Sequence, residues 1–398
     1  MSKAHFAIIG AGPTGLEAAL AADQHGYDFT LYEASDDVAG HVRGWGHVRL
    51  FTPWSLDVSP RMRHMLELVG HEVPASDDVC PTGAELVERV FRPLAKLPWL
   101  ERRLRLGHRV RRIGRQGLLK HEEIGTEARG ERPFRLLVVD SDGHERVETA
   151  DLVLDCSGNA RPAALGDAGI PAPGERHLGD LLSHDVPSLP RDEAVYAGKS
   201  TLLVGAGHSA QTALRDLLTL ATEHDGTHIA WVFRSPPHHQ TDDPLPSRER
   251  LTGAALQALE APPPSLQVFD GHVVDAVADR GDRVDVTLRS LRDDRTSMIT
   301  VDRLLALTGR VGDHRLYREL QVHECYATAG PMKLAAALLS ASGGAGGDCL
   351  QVAQPGPDAL RSPEPGFFIL GSKSYGRRND FLLQVGWRQV DEIFQLLD

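Results

Sequence analysis

Three glycines near the start of the chain, Gly10, Gly12 and Gly15, have the spacing of a turn that holds a dinucleotide. Gly10 permits a tight turn, Gly12 lets the backbone approach a pyrophosphate, and Gly15 lets a helix pack closely against a strand. Pro13 precedes a helix predicted to start at about Thr14, and the N-terminus of this helix would offer unpaired N–H groups to phosphate oxygens. The spacing therefore predicts that this turn binds a phosphate-bearing dinucleotide.

The elements that must position this turn are recognisable on both sides of it. Apolar residues 6–9 predict a strand, the alanine-rich stretch 14–24 predicts a helix, and residues 29–32 predict a second strand. The second strand ends on Glu33, whose carboxylate can accept hydrogen bonds from a ribose. The alternative interpretation of Gly10, Gly12 and Gly15 is a glycine-rich turn that binds no ligand.

A second turn of the same kind lies near the middle of the chain. Residues 201–204 predict a strand, 211–223 a helix and 228–233 a further strand. The turn between the first strand and the helix supplies the candidate cofactor-binding residues Gly205, Gly207, His208, Ser209 and Ala210. Alanine is a tolerated replacement for the third glycine.

The two units differ in the residue that ends their second strand. Arg234 and Ser235 stand where the first unit has Glu33. An acid would repel a 2′-phosphate, whereas a guanidinium can hold one with charge-assisted hydrogen bonds. The second site therefore favours NADPH over NADH.

Composition narrows the class of protein. With 398 residues the chain predicts more than one domain, and its net charge of −12 argues against non-specific binding of nucleic acid or an anionic membrane. No stretch resembles a signal peptide or a membrane span. The four cysteines form no Cys-x-x-Cys, and no histidine spacing is that of a metal site. We expect a cytoplasmic protein with no metal, as a monomer or a homodimer.

The rest of the chain predicts further elements and three segments. Residues 161–198 hold no long periodic element, and strands ending at Ser157 and Gly158 and at Thr308 and Gly309 indicate two crossings between domains. The predicted segments are 1–160, 161–310 and 311–398. The predicted helices are 59–69, 83–92 (ended or kinked by Pro93), 251–259, 331–339 and 381–397; the predicted strands are 105–113, 134–140, 146–155, 266–269, 272–278, 283–288, 302–308 and 367–371, with a hairpin at Asp142 and Gly143.

Two loops have compositions that suit a ligand site. The stretch 40–54 is rich in Gly, His, Arg and Trp directly after the first unit, so that Trp45 and Thr52 are candidates to wrap a cofactor; a surface loop with packed tryptophans is the equal alternative. The loop from Asp242 to Arg248 approaches a substrate or a nicotinamide, or is a plain surface loop. The glycine-rich loop 343–349 serves as a lid or as a surface connection.

Two dinucleotide turns 195 residues apart, the second nested within the first domain, resemble the two-dinucleotide-binding-domain flavoproteins. These are the thioredoxin reductases, flavin-containing monooxygenases and Baeyer–Villiger monooxygenases. The resemblance implies an α/β fold with two Rossmann-like domains, the NADP domain inserted into the FAD domain. It implies FAD on the first turn and NADPH on the second. Residues 366–372 resemble the segment that completes the FAD site in this family, which places Gly371 and Ser372 there, with Ser372 replacing the usual acid. Val110, Ser157 and Gly158 are further candidate cofactor-binding residues.

The resemblance implies an oxidoreductase, and its monooxygenase branch implies an oxygenase. NADPH would reduce the flavin, and O₂ would form a C4a-hydroperoxide that oxygenates a small nucleophile such as an amine, thiol or thioether. The monooxygenase motif before the second turn is degraded here, with His184 as its remaining histidine. The candidate catalytic residues are His184, Asn379 and Asp380.

Two other functions stay open at this point. One is an NADPH:acceptor reductase that passes electrons to a protein, quinone or dithiol without a Cys-x-x-Cys. A pair formed by Cys325 and Cys349 would suit that chemistry, although sequence alone cannot place them together. The other is a flavin- or nucleotide-binding protein without turnover.

Overall fold

A computed structural model of the chain describes residues 4–238, 243–342 and 356–397. The chain divides into two compact units, of which unit 1 comprises residues 1–161 and 311–398 and unit 2 comprises residues 162–310. Cys349, Asp242 and the glycine-rich loop 343–349 lie outside the described residues. Within the described ranges, no helix is both long and apolar enough to cross a membrane.

The elements of the chain follow in order, segment by segment. The first segment contains β1 (His5–Ile9), α1 (Pro13–Gln24), β2 (Asp28–Tyr32), α2 (Gly40–Gly44), α3 (Trp54–Asp57), α4 (Pro60–Leu68), α5 (Gly83–Leu86), a π-helical turn (Val87–Phe91), α6 (Arg92–Ala95), α7 (Pro98–Glu101), β3 (Leu104–Arg105), β4 (Arg109–Arg115), α8 (Glu127–Gly130), β5 (Phe134–Val139), β6 (Glu145–Ala150) and β7 (Leu152–Asp155). The middle segment contains β8 (Arg161–Pro162), β9 (Leu182–Ser183), α9 (Leu189–Tyr196), β10 (Ser200–Val204), α10 (His208–Glu223), β11 (His228–Phe233), α11 (Pro246–Glu260), β12 (Leu266–Asp270), β13 (His272–Asp279), β14 (Val284–Ser290), β15 (Thr296–Val301), β16 (Arg303–Ala306) and β17 (Arg310–Val311). The last segment contains α12 (Met332–Ser342), β18 (Phe367–Ile369) and α13 (Leu383–Leu397).

Unit 1 is built on a parallel five-stranded sheet in the order β18-β7-β1-β2-β3. The chain passes from β1 to β2 through α1, while β7 pairs with the other side of β1, so the strand order reverses between β1 and β7. Ligands of open α/β sheets bind outside the carboxyl ends of the strands at such a reversal. The sheet therefore presents a ligand crevice at the end of β1.

Local sequence explains why β1, α1 and β2 form. Phe6 and Ile8 of β1 are completely buried, and the alanines of α1 are packed with almost no exposed surface. The small side chains let the helix lie close to the sheet. Pro13 occupies the first turn of α1, where its missing N–H costs nothing, and Gly26 ends the connection with a φ of +70°.

The last helix completes the core of unit 1. α13 packs on α1, and the ring of Phe394 lies 5.6 Å from that of Phe6. Ile393 and Val390 are completely buried in the same cluster. A separate antiparallel sheet, β4-β5-β6, covers the other side of the parallel sheet through Ile113 and Leu136.

Unit 2 repeats the plan. Its parallel sheet has the order β12-β11-β10-β16-β9, and α10 connects β10 with β11. An antiparallel sheet, β13-β14-β15, packs against it through Val286 and Leu288. The α/β class with two Rossmann-like sheets, predicted from the sequence, is confirmed.

Several element predictions in unit 1 were wrong in their bounds. The strand predicted over 105–113 is two strands in two sheets, because Gly107 turns the chain with a φ of +68° between β3 and β4. The strand predicted over 146–155 also breaks between β6 and β7. The helix predicted over 83–92 continues to Ala95 through the π-helical turn, where the N–H of Arg92 donates to the carbonyl of Val87.

In unit 2 the sequence reasoning missed α9 and β15 and placed two helices too late. α10 begins at His208 rather than at residue 211, and α11 begins at Pro246 within what was predicted to be a loop. α9 has only eight residues and lies in a stretch rich in proline, so the sequence pattern did not indicate a helix there. Four of the six residues of β15 are exposed, and three of these four are polar, so the strand gives a weak apolar signal.

A buried ionic network ties the last segment of unit 1 to the first. Glu364 accepts hydrogen bonds from Arg115 Nε at 2.7 Å, from Arg129 Nη2 at 2.9 Å and from the backbone N–H of Gln321 at 2.7 Å. The side chains of the three ionic residues are at most 1% exposed. Because neither cation has water to replace a lost partner, the carboxylate is required for both.

We expect Glu364→Gln to lower the free energy of unfolding of unit 1 by about 3–5 kcal/mol, because it leaves two buried guanidiniums without their counter-charge. Urea unfolding followed by tryptophan fluorescence measures this, since Trp45, Trp54, Trp99 and Trp387 all lie in unit 1. The control is Glu88→Gln, which removes the exposed ion pair of Glu88 with Arg92 and should cost under about 1 kcal/mol. Equal losses in the two variants would contradict the prediction.

Candidate functional site

Unit 1 has a cavity of about 1150 Å³ at the carboxyl ends of β1 and β7. Pockets for drug-sized ligands usually measure about 300–1,000 Å³, so this cavity suits a long ligand such as a dinucleotide. Most of the cofactor-binding residues predicted for this unit line it: Gly10, Gly12, Pro13, Thr14, Glu33, Trp45, Val110, Ser157, Gly158, Gly371 and Ser372.

The three glycines of the first turn meet different surroundings. A Cβ on Gly15 would lie 1.8 Å from the carbonyl oxygen of Gly10, and a Cβ on Gly10 would lie 2.8 Å from that of Cys156. A Cβ on Gly12 would meet nothing within 4 Å. Gly10 and Gly15 therefore serve close packing, and Gly12 leaves the cavity open beside the helix.

The N-terminus of α1 is prepared for an anion. Gly12 is the N-cap residue and has no side chain to bond the first N–H groups, and the first turn carries no acid. These N–H groups and the positive end of the helix dipole would favour a phosphate. Both Gly12 and Thr14 line the cavity.

Glu33 is anchored at the edge of this cavity. Its Oε2 accepts a hydrogen bond from the N–H of Ala11 at 2.9 Å, and its Oε1 accepts one from the N–H of Ser35 at 2.9 Å. The side chain is buried and held in one orientation by the loops that it joins. Each carboxylate oxygen can accept a further hydrogen bond, as a ribose contact requires.

A buried ion pair below the cavity was missed by sequence reasoning. Lys373 Nζ donates to Asp155 Oδ2 at 2.6 Å, to Ser157 Oγ at 3.2 Å and to the carbonyl of Asp313 at 3.0 Å. The hydroxyl of Ser157 in turn donates to Asp155 Oδ1 at 2.6 Å. The only sequence signal was Asp155 at the end of an apolar strand, since a buried carboxylate requires a partner.

Charged residues line another part of the cavity and were also missed. Asp313 Oδ2 lies 2.9 Å from Arg315 Nη2, and Asp313 Oδ1 lies 3.5 Å from Arg161 Nη1. All three residues line the cavity. Hydrogen bonding from Arg315 lowers the pKa of Asp313 to about 2. This carboxylate is therefore ionised at any physiological pH.

Four predicted residues of unit 1 are absent from the lining of the cavity among the described residues: Gly15, Thr52, Asn379 and Asp380. Thr52 is buried and donates to Asp57 Oδ1 at 2.7 Å. Asn379 is exposed, and Asp380 pairs with Arg378, whose Nε lies 3.0 Å from its Oδ1. The loop that carries the last two reaches the cavity only through the neighbouring Phe381.

One cluster of possible metal ligands occurs among the described residues, on the hairpin between β5 and β6. The ligand atoms of Asp140, Asp142 and His144 lie within 4.8 Å of one another. Asp140 Oδ1 accepts hydrogen bonds from the N–H groups of Asp142 and His144, which is the usual role of an aspartate in a turn. The cluster therefore has a sufficient role in the hairpin itself.

The second turn, in unit 2, repeats the geometry of the first. Gly205 has a φ of +120°, and a Cβ there would lie 2.4 Å from the carbonyl oxygen of Leu307. Gly207 is the N-cap of α10, and a Cβ there would meet nothing within 4 Å. Ala210 is completely buried where the first unit has Gly15, while Ser209 is exposed.

The remaining predicted residues of unit 2 flank this turn. Burial lowers the pKa of His208, the first residue of α10. Arg234 and Ser235 follow β11 and are exposed, and Arg234 Nη1 lies 3.0 Å from Asp167 Oδ1. His184 follows β9, with its Nδ1 3.2 Å from the carbonyl oxygen of Ala306.

The family described as NAD(P)-binding Rossmann-like domain matches residues 8–67, which contain the first turn and Glu33. A probable FAD-dependent monooxygenase of Arthroderma benhamiae is 42% identical over 65 residues. That match spans 16% of this chain and 14% of the relative.

Solved structures share the fold over the whole chain. The bacillithiol disulfide reductase of Bacillus cereus is 15% identical with a TM-score of 0.69, covering 100% of this chain and 99% of that one. The ornithine N-hydroxylase of Kutzneria sp. 744 is 14% identical with a TM-score of 0.65, covering 99% of both chains. The predicted resemblance to two-domain flavoproteins is thus confirmed for the fold.

Asp57 leads to a prediction about pH. Burial raises the pKa of Asp57 to about 7, and its Oδ2 has no hydrogen-bond partner among the described residues. The folded chain therefore keeps a proton that the unfolded chain loses near pH 4, and stability falls as the pH rises from about 4 to about 7. We expect Asp57→Asn to remove a loss of roughly 3–5 kcal/mol over this range.

Urea unfolding of the wild type and the variant at pH 4 and at pH 7.5 checks this prediction. Asp77→Asn, at an exposed aspartate, is the control and should keep the pH dependence of the wild type. If Asp57→Asn has the same pH dependence as the wild type, the prediction is wrong.

Proposed function

We propose that the chain is an FAD- and NADPH-dependent oxidoreductase, and that it acts as a monooxygenase on a small nucleophilic substrate. The observation that carries the proposal is the cavity of unit 1, with an uncapped helix N-terminus and Gly12 at the end of β1. It is supported by the match of residues 8–67 and by the relative described as a probable FAD-dependent monooxygenase.

The residues of the cavity fit FAD. The space beside Gly12 is open, and a Cβ on this residue would begin to fill it. The first turn of α1 would hold the pyrophosphate there. Glu33 would hold a ribose, Val110 would border the adenosine end, and Trp45 would lie along the far end. Ser372 offers a hydroxyl where related flavoproteins carry an acid, so Ser157 and the backbone of Gly158 and Gly371 would share in holding the ribityl chain.

The second turn would hold NADPH. The N-terminus of α10, with Gly207, His208 and Ser209, would bind the pyrophosphate, and Gly205 and Ala210 would allow the close packing behind it. Arg234 and Ser235 would contact the 2′-phosphate, since both are exposed at the end of β11. The Kutzneria hydroxylase was solved with reduced FAD, NADP⁺ and L-ornithine, which supports this pair of cofactors.

FAD would supply the redox chemistry, accepting a hydride from NADPH and activating O₂. The chain would bind and orient both cofactors and keep water from the reacting end. Asp313, held ionised by Arg315 and Arg161, keeps these two cations at the cavity. The catalytic roles of His184, Asn379 and Asp380 remain predictions, as do a cytoplasmic location and a monomeric or homodimeric state.

A specific observation also favours the reductase alternative. The fold of the chain matches a bacillithiol disulfide reductase over its whole length. Cys325 is a free, buried cysteine at which hydrogen bonding by Thr328 lowers the thiol pKa. Measurement of the electron acceptor separates the two functions.

We expect the purified, FAD-loaded protein to oxidise NADPH in air with an amine, thiol or thioether, forming one oxygenated product per NADPH. Stopped-flow mixing of the reduced protein with O₂ should show a transient absorbance that neither oxidised nor reduced FAD has. Turnover with an artificial acceptor under anaerobic conditions, with no transient in air, would establish the reductase. Bound FAD with no NADPH oxidation by any acceptor would establish a non-catalytic binding protein.

Gly12 and Gly15 form a matched pair for testing the FAD site. Gly12 has a φ of −80°, which any residue adopts, so Gly12→Val should fold with a stability within about 1 kcal/mol of the wild type. Its methyl groups would enter the cavity, and we expect FAD retention to fall at least about tenfold, since each 1.4 kcal/mol of lost contact is tenfold. The flavin-to-protein absorbance ratio after gel filtration, with thermal unfolding, measures both effects.

Gly15→Ala is the comparison, because its Cβ would lie 1.8 Å from the carbonyl oxygen of Gly10. This variant should lose stability as well as FAD. Wild-type FAD content in Gly12→Val would show that the cavity beside Gly12 is not the flavin site.

A further inference from the structure

Asp167 of unit 2 lies between two arginines. Its Oδ1 is 3.0 Å from Arg234 Nη1, and its Oδ2 is 2.7 Å from Arg289 Nη2. Each oxygen of the Asp167 carboxylate thus pairs with one guanidinium. Like charges repel, so the carboxylate is what holds these two cations side by side.

The two arginines reach this place from different elements. Arg234 directly follows β11, the strand that the second glycine turn and α10 connect to β10. Arg289 is in β14 of the antiparallel sheet, near that strand's end. Their meeting point is therefore at the end of the second strand of the dinucleotide unit, where such folds read the 2′ position of the adenosine ribose.

The backbone holds Asp167 at this point. Asp167 begins a 3₁₀ turn over Asp167–Gly169, and the second residue, Ala168, has a φ of +55°. Positive φ is uncommon for a residue with a Cβ and persists where the surroundings require it. Hydrogen bonding from the backbone of Ala168 lowers the pKa of Asp167, so its carboxylate is charged beside the arginines.

The cluster has an excess of negative charge without a ligand. Arg289 also pairs with Asp275 and Asp294, each at 3.1 Å, so three carboxylates face two guanidiniums. The side chain of Arg234 is 62% exposed and that of Asp167 is 28% exposed. Ion pairs at such exposure are weak and can be exchanged for a stronger anion.

We propose that Arg234 and Arg289 together form the site for the 2′-phosphate of NADPH, and that Asp167 is a built-in competitor that the phosphate displaces. The inference rests on the proposed binding of NADPH in unit 2. A phosphomonoester carries a charge near −2 and has three acceptor oxygens, so it can bridge both guanidiniums as the carboxylate does, with greater charge. NADH has no 2′-phosphate and leaves Asp167 in place.

Asp167 is therefore a residue that sets coenzyme selectivity. It keeps the two guanidiniums together in the free protein. NADPH binding must break the ion pairs of Asp167 with Arg234 and Arg289, and the free energy of these pairs lowers the affinity for NADPH. Removing its charge should strengthen NADPH binding and leave NADH binding as it is. A residue that only positions Arg234 would have the opposite effect, because its loss would let the guanidinium move away.

The test is isothermal titration of the full-length, FAD-loaded chain with NADP⁺ and with NAD⁺. We expect Asp167→Asn to tighten NADP⁺ binding by roughly 3- to 30-fold, the value of two exposed ion pairs, and to change NAD⁺ binding less than about twofold. Asp275→Asn is the matched control: it removes another carboxylate from Arg289 without touching Arg234, and should change NADP⁺ affinity less than Asp167→Asn does.

A second variant tests the other half of the site. Arg289→Met should weaken NADP⁺ at least about tenfold, as expected for loss of a charge-assisted contact to phosphate, and leave NAD⁺ binding unchanged. Titration with 2′,5′-ADP and with 5′-AMP repeats the comparison on fragments that differ in the 2′-phosphate. Weaker or unchanged NADP⁺ binding in Asp167→Asn overturns the inference, as does wild-type NADP⁺ binding in Arg289→Met. A wild-type chain that binds NAD⁺ but not NADP⁺ overturns the proposed coenzyme itself.

Discussion

The buried pair of Lys373 and Asp155 is the interaction on which the cavity of unit 1 depends. The ammonium group donates to Asp155, to Ser157 and to the carbonyl of Asp313, so all of its hydrogens are used. These partners come from the end of β7 and from the segment that re-enters unit 1, while the lysine itself belongs to the turn after β18. The ammonium group of Lys373 thus joins three distant parts of the sequence next to the cavity. Replacing it by an apolar side chain would strand a buried carboxylate.

The two glycine turns show the same physical division of roles within each set of glycines. Gly10 and Gly15 in unit 1, and Gly205 in unit 2, lie so close to other backbone atoms that a side chain would collide. Gly12 and Gly207 instead leave open space next to a helix N-terminus. Close packing accounts for Gly10, Gly15 and Gly205, whereas the open space at Gly12 and Gly207 is where an anion would fit. The two units differ at the residue that follows their second strand: Glu33 accepts hydrogen bonds from backbone N–H groups, and Arg234 pairs with the carboxylate of Asp167.

What the sequence predicted correctly was local. The two glycine turns and the strands and helices around them follow from spacing within about thirty residues, which pattern reasoning covers well. The binding roles of Glu33 and Arg234 stay predictions. Lys373 lies 218 positions from Asp155, and Arg289 has no motif around it, so neither carried a signal. Thr52 was predicted at the cofactor from loop composition alone, whereas the fold directs its hydroxyl to Asp57. The strand predicted over 105–113 failed because Gly107 was not recognised as a turn between two sheets.

The place of β18 and α13 in unit 1 has a consequence for biosynthesis. β18 pairs with β7, and α13 packs on α1, yet more than two hundred residues separate each late element from its early partner. During translation, part of the apolar surface of β1, α1 and β2 stays exposed until β18 and α13 are synthesised. Unit 2 is continuous in sequence, so it can fold as it leaves the ribosome. Gly371 and Lys373 are synthesised after the earlier segment of unit 1 and after unit 2. Because residues 371–383 supply part of the cavity lining, we expect a ligand to bind there only after residues 367–397 have left the ribosome.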